Sequence, residues 1–514
     1  MANYVMGIDV GTTGAKSMVL DLQGNIIGKA YREYPLEYPK PDWVEIRASY
    51  LIEQVFDTVK EAIEKSKVDP VDIKAISFSL QRATFCMHGE DLEPINDTVY
   101  VWLDNRAAEI MDEIATKIDP HRQAHLSGMP TSCIYTVEKL YWLKKFQPEV
   151  YNATKYCATI DAYVMHKFGA DNFCTEVTNT MVSGMIDVNT FDWCDEILDA
   201  LELDKSKLAP LVDPSTIVGR IKEDVSKRTG LAVGTLIVAG CGDQQAAAMG
   251  AGVTEDGAMS LTLGTVGELV VGLAKPDFVK LEGLMIPSTA NKGVFEIEGN
   301  QISGATCYRW CRDTICPTEA ALAEAMGVDA FDLMGNYIRK SRPGSNGVIF
   351  YAGIFGTGHP TWNPKATGVY VGLKSSNSRA DMVRAVMEGI TLESRFIYEA
   401  IKETGVHMKN EITVTGGAFK SPEWCQIVAD VMNCTLKMLK VSDAAIIGVA
   451  IQAAVAAGLF KDLAEGVKSM VQVVGEVKPI PENVAVYDKV FPIYKDVYYG
   501  LNDRKVFERL SELN

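Results

Sequence analysis

A glycine-threonine turn between two apolar strands is the feature that most constrains the fold of this chain. Residues 7–25, GIDVGTTGAKSMVLDLQGN, place a Gly-Thr-Thr-Gly turn between two alternating apolar runs, and QGN forms a second turn. This pattern predicts a ladder of three strands joined by hairpins. A P-loop is a glycine-rich turn that leads into a helix, and the helix dipole helps it to bind phosphate. A strand follows the turn here, so this turn could not bind a phosphate in that way. The backbone N–H groups and threonine hydroxyls of such a turn can form a small anion nest, although ordinary hairpins also use glycine.

The same arrangement recurs far downstream. Residues 257–273, GAMSLTLGTVGELVVGL, again predict a strand, a Gly-Thr-x-Gly turn and a strand. A third glycine turn lies in EITVTGGAFKSPEW at 411–424, between a strand and a helix that Ser421 is predicted to cap. The repeat predicts two similar domains that face each other across a cleft, with both hairpins directed at one phosphate chain.

Size and composition narrow the functional class. A chain of 514 residues exceeds what one hydrophobic core supports, so two large domains are expected. The formal net charge of −17 argues against nucleic-acid binding, which needs a basic face. The N-terminus lacks the pattern of a signal peptide, and the apolar run at 444–460 is short enough to be a buried helix and not a membrane span. Eleven scattered cysteines are typical of reduced thiols, so we expect a cytoplasmic protein without a disulfide framework.

Strands and helices alternate along the remaining chain, which predicts an α/β protein. Helices are expected at 50–66, 381–404 and 444–457, and a buried strand is expected at 73–80. Residues 235–252 predict a strand followed by Asp243 and a helix of small residues. We expect an N-terminal domain at 1–253, a C-terminal domain at 254–460 and a packing tail at 461–514.

Several motifs together resemble those of the FGGY family of carbohydrate kinases. They are GIDVGTTGAK at 7–16, PDWVEI at 41–46, VWLDNRAAE at 101–109, YTVEKLYWL at 135–143 and GVYVGLKSSNSRADMVRAVMEG at 368–389. The resemblance covers nearly the whole chain. It implies two ribonuclease-H-like domains of the actin–hexokinase superfold around a central cleft. It also implies ATP- and Mg²⁺-dependent phosphorylation of a sugar or polyol hydroxyl.

The resemblance assigns the phosphate and metal residues. Gly11, Thr12 and Thr13 would form one clamp on the ATP phosphates, with Lys16 near the γ-phosphate. The other assignments are a second clamp at Gly264 and Thr265, an adenosine turn at Gly416, Gly417 and Ala418, and Asp9 as a Mg²⁺ ligand through water.

Asp243 is the best candidate for the general base. Phosphoryl transfer needs positioned phosphates, a divalent cation and a group that accepts the proton of the nucleophile late in the reaction. An aspartate before a helix also serves as an N-cap, and both roles can coexist.

Two short segments bear on which acceptor the enzyme would phosphorylate. Gln81-Arg82-Ala83-Thr84 resembles the Gln-Arg-Glu-Thr segment of glycerol kinases but lacks its carboxylate, which argues against glycerol. Trp102-x-Asp104-x-Arg106 matches pentulose kinases. A ketopentose such as xylulose is therefore expected as the acceptor, and the expected substrate contacts are Arg82, Asp104, Asp243 and Gln244.

Three of these interpretations have open alternatives. Asp104 is equally suited to an ion pair with Arg106 or to a helix cap. Met87-His88-Gly89 resembles a xylulose kinase segment but is displaced from its place, so we expect His88 to be solvated in a hairpin turn. Arg82 could instead form an ordinary structural ion pair.

The acceptor and the functional class also have alternatives. LDNRAAE and QISGATCYRWCRD, at 301–313, resemble kinases of autoinducer-2, a linear dihydroxypentanedione, and another small polyol is a further candidate. A sensor without activity on the same fold is the alternative from another class, and it would be expected to lose Asp9 or Asp243. Members of the family are often homodimers, so a homodimer with a small-molecule substrate is one expectation.

Overall fold

The computed structural model describes residues 3–278, 280–281 and 283–513. The strands of the N-terminal half are β1 (Tyr4–Val10), β2 (Gly14–Asp21), β3 (Ile26–Glu33), β4 (Glu45–Arg47), β5 (Ile73–Leu80), β6 (Phe85–His88), β7 (Pro94–Tyr100), β8 (Tyr156–Thr159), β9 (Thr175–Glu176), β10 (Leu211–Val212), β11 (Ile217–Arg220) and β12 (Leu236–Gly242). Its α-helices are α1 (Ala48–Ser66), α2 (Met111–Lys117), α3 (Pro120–Ser127), α4 (Thr136–Phe146), α5 (Pro148–Ala153), α6 (Ile160–Phe168), α7 (Val177–Met181), α8 (Asp195–Ala200), α9 (Glu223–Thr229) and α10 (Asp243–Gly250).

The C-terminal half continues the alternation of strands and helices. Its strands are β13 (Met259–Leu263), β14 (Gly267–Leu273), β15 (Phe295–Gln301), β16 (Ile349–Ala352), β17 (Gly368–Val371), β18 (Glu411–Thr415), β19 (Thr435–Leu439) and β20 (Val473–Val477). Its α-helices are α11 (Ala305–Thr314), α12 (Pro317–Met326), α13 (Ala330–Lys340), α14 (Arg379–Glu403), α15 (Pro422–Met432), α16 (Ala444–Ala456), α17 (Leu463–Met470), α18 (Pro481–Asn502) and α19 (Val506–Ser511).

The described chain forms two compact units. Unit 1 comprises Met1–Glu255, Gly272–Glu296 and Asp443–Gln472, and unit 2 comprises Asp256–Val271, Ile297–Ser442 and Val473–Asn514. The units interleave along the chain, so they divide it differently from the three consecutive ranges expected from the sequence. The segment expected as a tail is shared: α17 belongs to unit 1, whereas β20 and the helices after it belong to unit 2.

Unit 1 is built on a six-stranded mixed sheet of order β11-β12-β5-β1-β2-β3. The β1–β2 and β2–β3 pairs are antiparallel, which confirms the predicted hairpin ladder. Strands β1, β5 and β12 run parallel, so their carboxyl ends share one edge. Alternating buried residues place the core on both faces, under α1 on one side and α16 on the other.

Unit 2 repeats this pattern in a sheet of order β15-β14-β13-β18-β19-β20. Strands β13 and β14 form the second predicted hairpin. Strands β13, β18 and β19 are parallel, and β20 closes the edge as an antiparallel strand. The two similar α/β units confirm the predicted fold class.

Helix α16 is the buried helix that the apolar run predicts. Its small residues allow close contact with α10: a Cβ on Gly448 would lie 2.0 Å from the Ala246 carbonyl oxygen, and one on Gly250 would lie 1.9 Å from that of Ala444. Because α10 begins at Asp243, the packing of α10 against α16 also fixes the position of Asp243 at the end of β12. In the described residues, no helix is long and apolar enough to cross a bilayer.

Candidate active site

The carboxyl edge of the unit 1 sheet gathers the candidate catalytic groups. Asp9 pairs in register with Ser79 across the parallel β1–β5 ladder, and Ser79 Oγ donates a hydrogen bond of 2.7 Å to Asp9 Oδ1. The neighbouring strand β12 ends at Gly242, which pairs with Leu80, and Asp243 follows as the first residue of α10. Ligands in open α/β sheets bind at such an edge, so the topology brings Asp9 and Asp243 to one site.

The turn at residues 11–13 is held by contacts from three directions. Gly11 N donates to the Gly14 carbonyl at 3.0 Å, and Tyr34 N donates to the Thr13 carbonyl at 3.1 Å. The Tyr34 hydroxyl also donates to the Gly11 carbonyl. Trp102 Nε1 donates to Thr12 Oγ1 at 2.9 Å, which leaves the threonine hydroxyl hydrogen available to another acceptor. Hydrogen bonds within the protein therefore fix the shape of this turn.

Lys16 is committed to an ion pair. Its Nζ lies 2.5 Å from Asp443 Oδ1, and the two side chains are 33% and 25% exposed. Asp443 precedes α16, so this contact joins residues that lie far apart in the sequence. A γ-phosphate near Lys16 would have to share the ammonium group with this carboxylate.

Arg82 faces Asp243. Arg82 Nε lies 3.3 Å from Asp243 Oδ1, and the same oxygen accepts a hydrogen bond of 2.8 Å from Gln244 N. Gly242 makes room for this contact, since a Cβ there would lie 2.6 Å from Arg82 Cγ and Cδ. The arginine is 11% exposed and the aspartate 35%, so the carboxylate reaches the solvent-accessible side of the pair.

The electrostatics of this edge fit a divalent cation. Burial raises the pKa of Asp9 to about 6; the charge of Asp243 raises it further, whereas the Ser79 hydrogen bond and Lys16 oppose the shift. Carboxylate oxygens are the ligands that Mg²⁺ prefers. Among the described residues, no group of three or more His, Cys, Asp or Glu side chains is arranged to hold a metal ion by itself. A Mg²⁺ ion would thus depend on phosphate and water oxygens besides Asp9.

Asp104 requires a correction. It was expected to contact the acceptor, but its side chain is fully buried. Its Oδ2 accepts from Val44 N at 2.7 Å and from Arg106 Nη2 at 2.8 Å, and its Oδ1 accepts from Arg106 Nε at 2.8 Å. The structure thus shows the ion pair that the sequence left open as the alternative, and we do not retain Asp104 as a substrate ligand.

The expectation of a solvated His88 is also wrong. His88 ends β6, is fully buried, and its Nδ1 lies 2.9 Å from the Leu92 carbonyl oxygen. Its ring packs on Phe173 with centroids 4.7 Å apart, and burial lowers its pKa to about 4. The sequence shows the turn after His88, but it does not show that β8 pairs with β6 or that Phe173 packs on the ring.

Unit 2 brings its two predicted turns together. Parallel β13 and β18 pair Thr262 with Thr415, so the turns that follow them start side by side. A Cβ on Gly416, which has a φ of 102°, would lie 2.4 Å from the Leu263 carbonyl oxygen, one residue before Gly264. Ser421 caps α15 as predicted, its side chain accepting from Trp424 N at 3.2 Å. All five residues predicted for these two turns thus lie at one sheet edge of unit 2: Gly264, Thr265, Gly416, Gly417 and Ala418.

Sequence reasoning missed two supporting side chains. Trp102 was noted only as part of a motif, but it orders Thr12. Lys139 is fully buried on α4, and its Nζ donates to the carbonyl oxygens of Val101 at 2.8 Å and Trp102 at 3.3 Å. The signal in the sequence is that this lysine stands in YTVEKLYWL, a segment made mostly of apolar and aromatic residues.

The chain matches two family models in succession. Residues 4–250 match the N-terminal domain, and residues 259–457 the C-terminal domain, of the FGGY family of carbohydrate kinases. The protein therefore belongs to the FGGY family of carbohydrate kinases. Kinases of this family use ATP as the phosphate donor.

The relatives differ in the acceptor that they are named for. The gluconokinase of Bacillus subtilis (strain 168) is 24% identical over 96% of this chain and 95% of its own. The xylulose kinase of that organism is 24% identical over 97% of both chains. The solved xylulose kinase from Lactobacillus acidophilus is similar with a TM-score of 0.87 and 25% identity over 97% of this chain and 98% of its own. Other relatives are named glycerol kinase, at 27% identity, and autoinducer-2 kinase, at 25%.

Proposed function

We propose that this carbohydrate kinase phosphorylates a ketopentose such as xylulose, with Asp243 as the general base. The acceptor oxygen attacks the γ-phosphorus of ATP, the bond to the β,γ-bridging oxygen breaks, and ADP leaves. The hydroxyl proton passes to Asp243. The shared sheet edge of Asp9 and Asp243, with Arg82 Nε 3.3 Å from the Asp243 carboxylate, carries the assignment of the base. The relatives named xylulose kinase support the ketopentose.

Each side chain has a distinct task in this proposal. Arg82 and the Gln244 N–H hold one oxygen of Asp243, which orients the carboxylate toward a hydroxyl. Thr12, whose oxygen is held by Trp102, can donate its hydrogen to a phosphate oxygen. Mg²⁺, when bound, would neutralise charge on the transferring phosphoryl group, and Asp9 would hold it.

The charge balance of the site supports the Mg²⁺ assignment. Asp9, Asp243 and Asp443 contribute three negative charges, against two positive charges from Lys16 and Arg82. Both cations are already paired. A triphosphate brought to this edge would therefore meet a surplus of negative charge unless a divalent cation accompanied it.

A second acceptor is favoured by one observation. Ala83 occupies the position at which the similar segment of glycerol kinases has a glutamate. It packs in an apolar cluster with Met129, Tyr135, Val182 and Met285. Without that carboxylate, fewer acceptor hydroxyls find a partner beside Arg82, which suits an acceptor with few hydroxyls. The dihydroxypentanedione of autoinducer-2 kinases has five carbons but only two hydroxyls, so it is the alternative candidate.

An ADP-release assay with Mg²⁺ and ATP tests both acceptors. The panel contains D- and L-xylulose, ribulose, gluconate, glycerol and the dihydroxypentanedione. Asp243→Asn should lower kcat by about 100-fold to 10,000-fold, as expected for loss of a general base. Asp195→Asn, which changes an exposed aspartate paired with Lys205, is the matched control and should retain normal turnover.

The outcomes separate the parts of the proposal. Turnover on a ketopentose that is lost only in Asp243→Asn supports it in full. Turnover with the dihydroxypentanedione alone would identify it as the acceptor in place of a ketopentose, and the role of Asp243 as the base would stand. Near-normal turnover by Asp243→Asn excludes it as the base.

A further inference from the structure

We propose that Arg309 is a phosphate-binding residue that supplies a positive charge to the ATP triphosphate at the second glycine-threonine turn. This inference rests on the proposed function, because it concerns the same nucleotide. It adds a residue to which the sequence motifs assigned no role.

The first helix after the unit 2 hairpin is built against that turn. Ala305 N donates to the Gly264 carbonyl at 2.9 Å, and Thr306 Oγ1 donates to the Thr265 carbonyl at 2.9 Å. Gly304 permits this approach, since a Cβ there would lie 2.5 Å from the Val266 carbonyl carbon. The start of α11 and the turn therefore form one local structure.

Arg309 reaches back over this structure to the turn. It lies one helical turn after Ala305, and side chains on a helix lean toward its N-terminus. Arg309 Nη2 accordingly donates to Thr265 Oγ1 at 3.2 Å. Because the threonine oxygen accepts this bond, its hydroxyl hydrogen remains able to donate to a phosphate oxygen.

Arg312 pairs with the Asp313 carboxyl and lowers its pKa, and the charge of Arg309 adds to that shift without an ion pair of its own. Among the residues that the structure describes, Arg309 forms no ion pair, and its side chain is exposed. Arg312, one turn further along α11, differs in this respect: its Nε lies 2.6 Å from Asp313 Oδ1. Free N–H donors in a planar fork match the oxygens of a phosphate, which makes Arg309 the better anion ligand of the two.

The neutral groups of the turn alone do not meet the electrostatic need of a triphosphate. Backbone N–H groups and the Thr265 hydroxyl provide hydrogen bonds without net charge. In phosphoryl transfer, charge builds up on the transferring and leaving oxygens, and arginine side chains commonly stabilise it. Arg309 is placed at the turn to supply that charge.

The test compares Arg309→Gln, Arg309→Lys and the control Arg312→Gln in the full-length protein. Calorimetric titrations measure binding of Mg²⁺–ATP, ADP and adenosine, and the ADP-release assay measures kcat/KM for ATP on the best acceptor of the panel. Loss of a charge-assisted hydrogen bond should weaken Mg²⁺–ATP binding by Arg309→Gln about 10-fold and lower its kcat/KM about 10-fold to 100-fold. Arg309→Lys should lie between this variant and the wild type, because it keeps the charge but loses the fork.

Binding of adenosine, which has no phosphate, distinguishes a loss of phosphate contacts from a general change in the structure of the site. Its affinity should stay within about twofold of wild type in Arg309→Gln, and Arg312→Gln should match the wild type throughout. The proposal is overturned if Arg309→Gln behaves like Arg312→Gln, or if it loses adenosine and ATP affinity equally.

Failure of the proposed function gives a different result. A wild type that binds Mg²⁺–ATP but phosphorylates nothing on the panel contradicts the acceptor proposal, while the ratio of ATP affinities still decides the role of Arg309. A wild type that binds no ATP overturns both.

Discussion

Replacement of the buried Lys139 by methionine should remove a specific pH dependence of stability. Lys139 lies under the Trp102 backbone, and burial lowers the pKa of its ammonium group from 10.5 to about 7. The negative charge of Asp104 opposes this shift and the positive charge of Arg106 adds to it. Methionine has a similar length without a titratable group, so Lys139→Met isolates this effect.

The sign and size follow from proton linkage. Between pH 7 and pH 10.5, the amine is protonated in the unfolded chain and largely neutral in the folded protein. The unfolded state then binds more protons, so the free energy of unfolding rises with pH. With these two pKa values, the titration of Lys139 raises the free energy of unfolding by about 2 kcal/mol between pH 7 and pH 9.

Thermal unfolding of the wild type and the variant at pH 7 and pH 9 measures this contribution. The difference in Tm between the two proteins should change by roughly 2–6 °C over this pH range, with the wild type gaining relative to Lys139→Met. Lys144→Met changes a partly exposed lysine on the same helix and is the matched control. It should follow the wild type at both pH values.

The comparison depends on the pH slope and not on the absolute stability. Loss of Lys139 also leaves the Trp102 carbonyl without this donor, whereas the Val101 carbonyl keeps a bond from Asp104 N at 3.0 Å. That cost is the same at both pH values. Parallel pH profiles of the wild type and Lys139→Met would refute the assignment of a neutral buried amine.

Two further predictions test the corrected and the missed residues of the site. Among the described residues, Asp104→Ala leaves the buried Arg106 guanidinium with Glu45 as its one ion-pair partner. It should destabilise the protein by about 3–5 kcal/mol, seen as a lower Tm. A raised acceptor KM with an unchanged Tm would instead restore Asp104 as a substrate ligand. Trp102→Phe removes the N–H donor to Thr12 and should lower kcat/KM for ATP about 2-fold to 10-fold. An unchanged value would show that this bond does not position Thr12.

Local sequence patterns determined the elements and much of the site. The alternation around residues 11–14 predicted both strands of the first hairpin, because hairpin hydrogen bonds join residues that are close in sequence. The strand at Ile73–Leu80 and the start of α10 at Asp243 follow from the same local signals. These elements placed Asp9, Asp243 and the glycine turns at strand ends, where the structure finds them.

Tertiary structure alone decided which charges pair and which side chains are covered. The contact of Lys16 with Asp443 depends on a helix from the far end of the chain, and burial of His88 depends on Phe173, which is distant in sequence. Long-range pairing is set by which strands and helices become neighbours, which no short pattern of residues encodes. Asp104 shows this most clearly: its motif matched a sugar-binding segment, but the buried Arg106 and the Val44 N–H take up both of its oxygens.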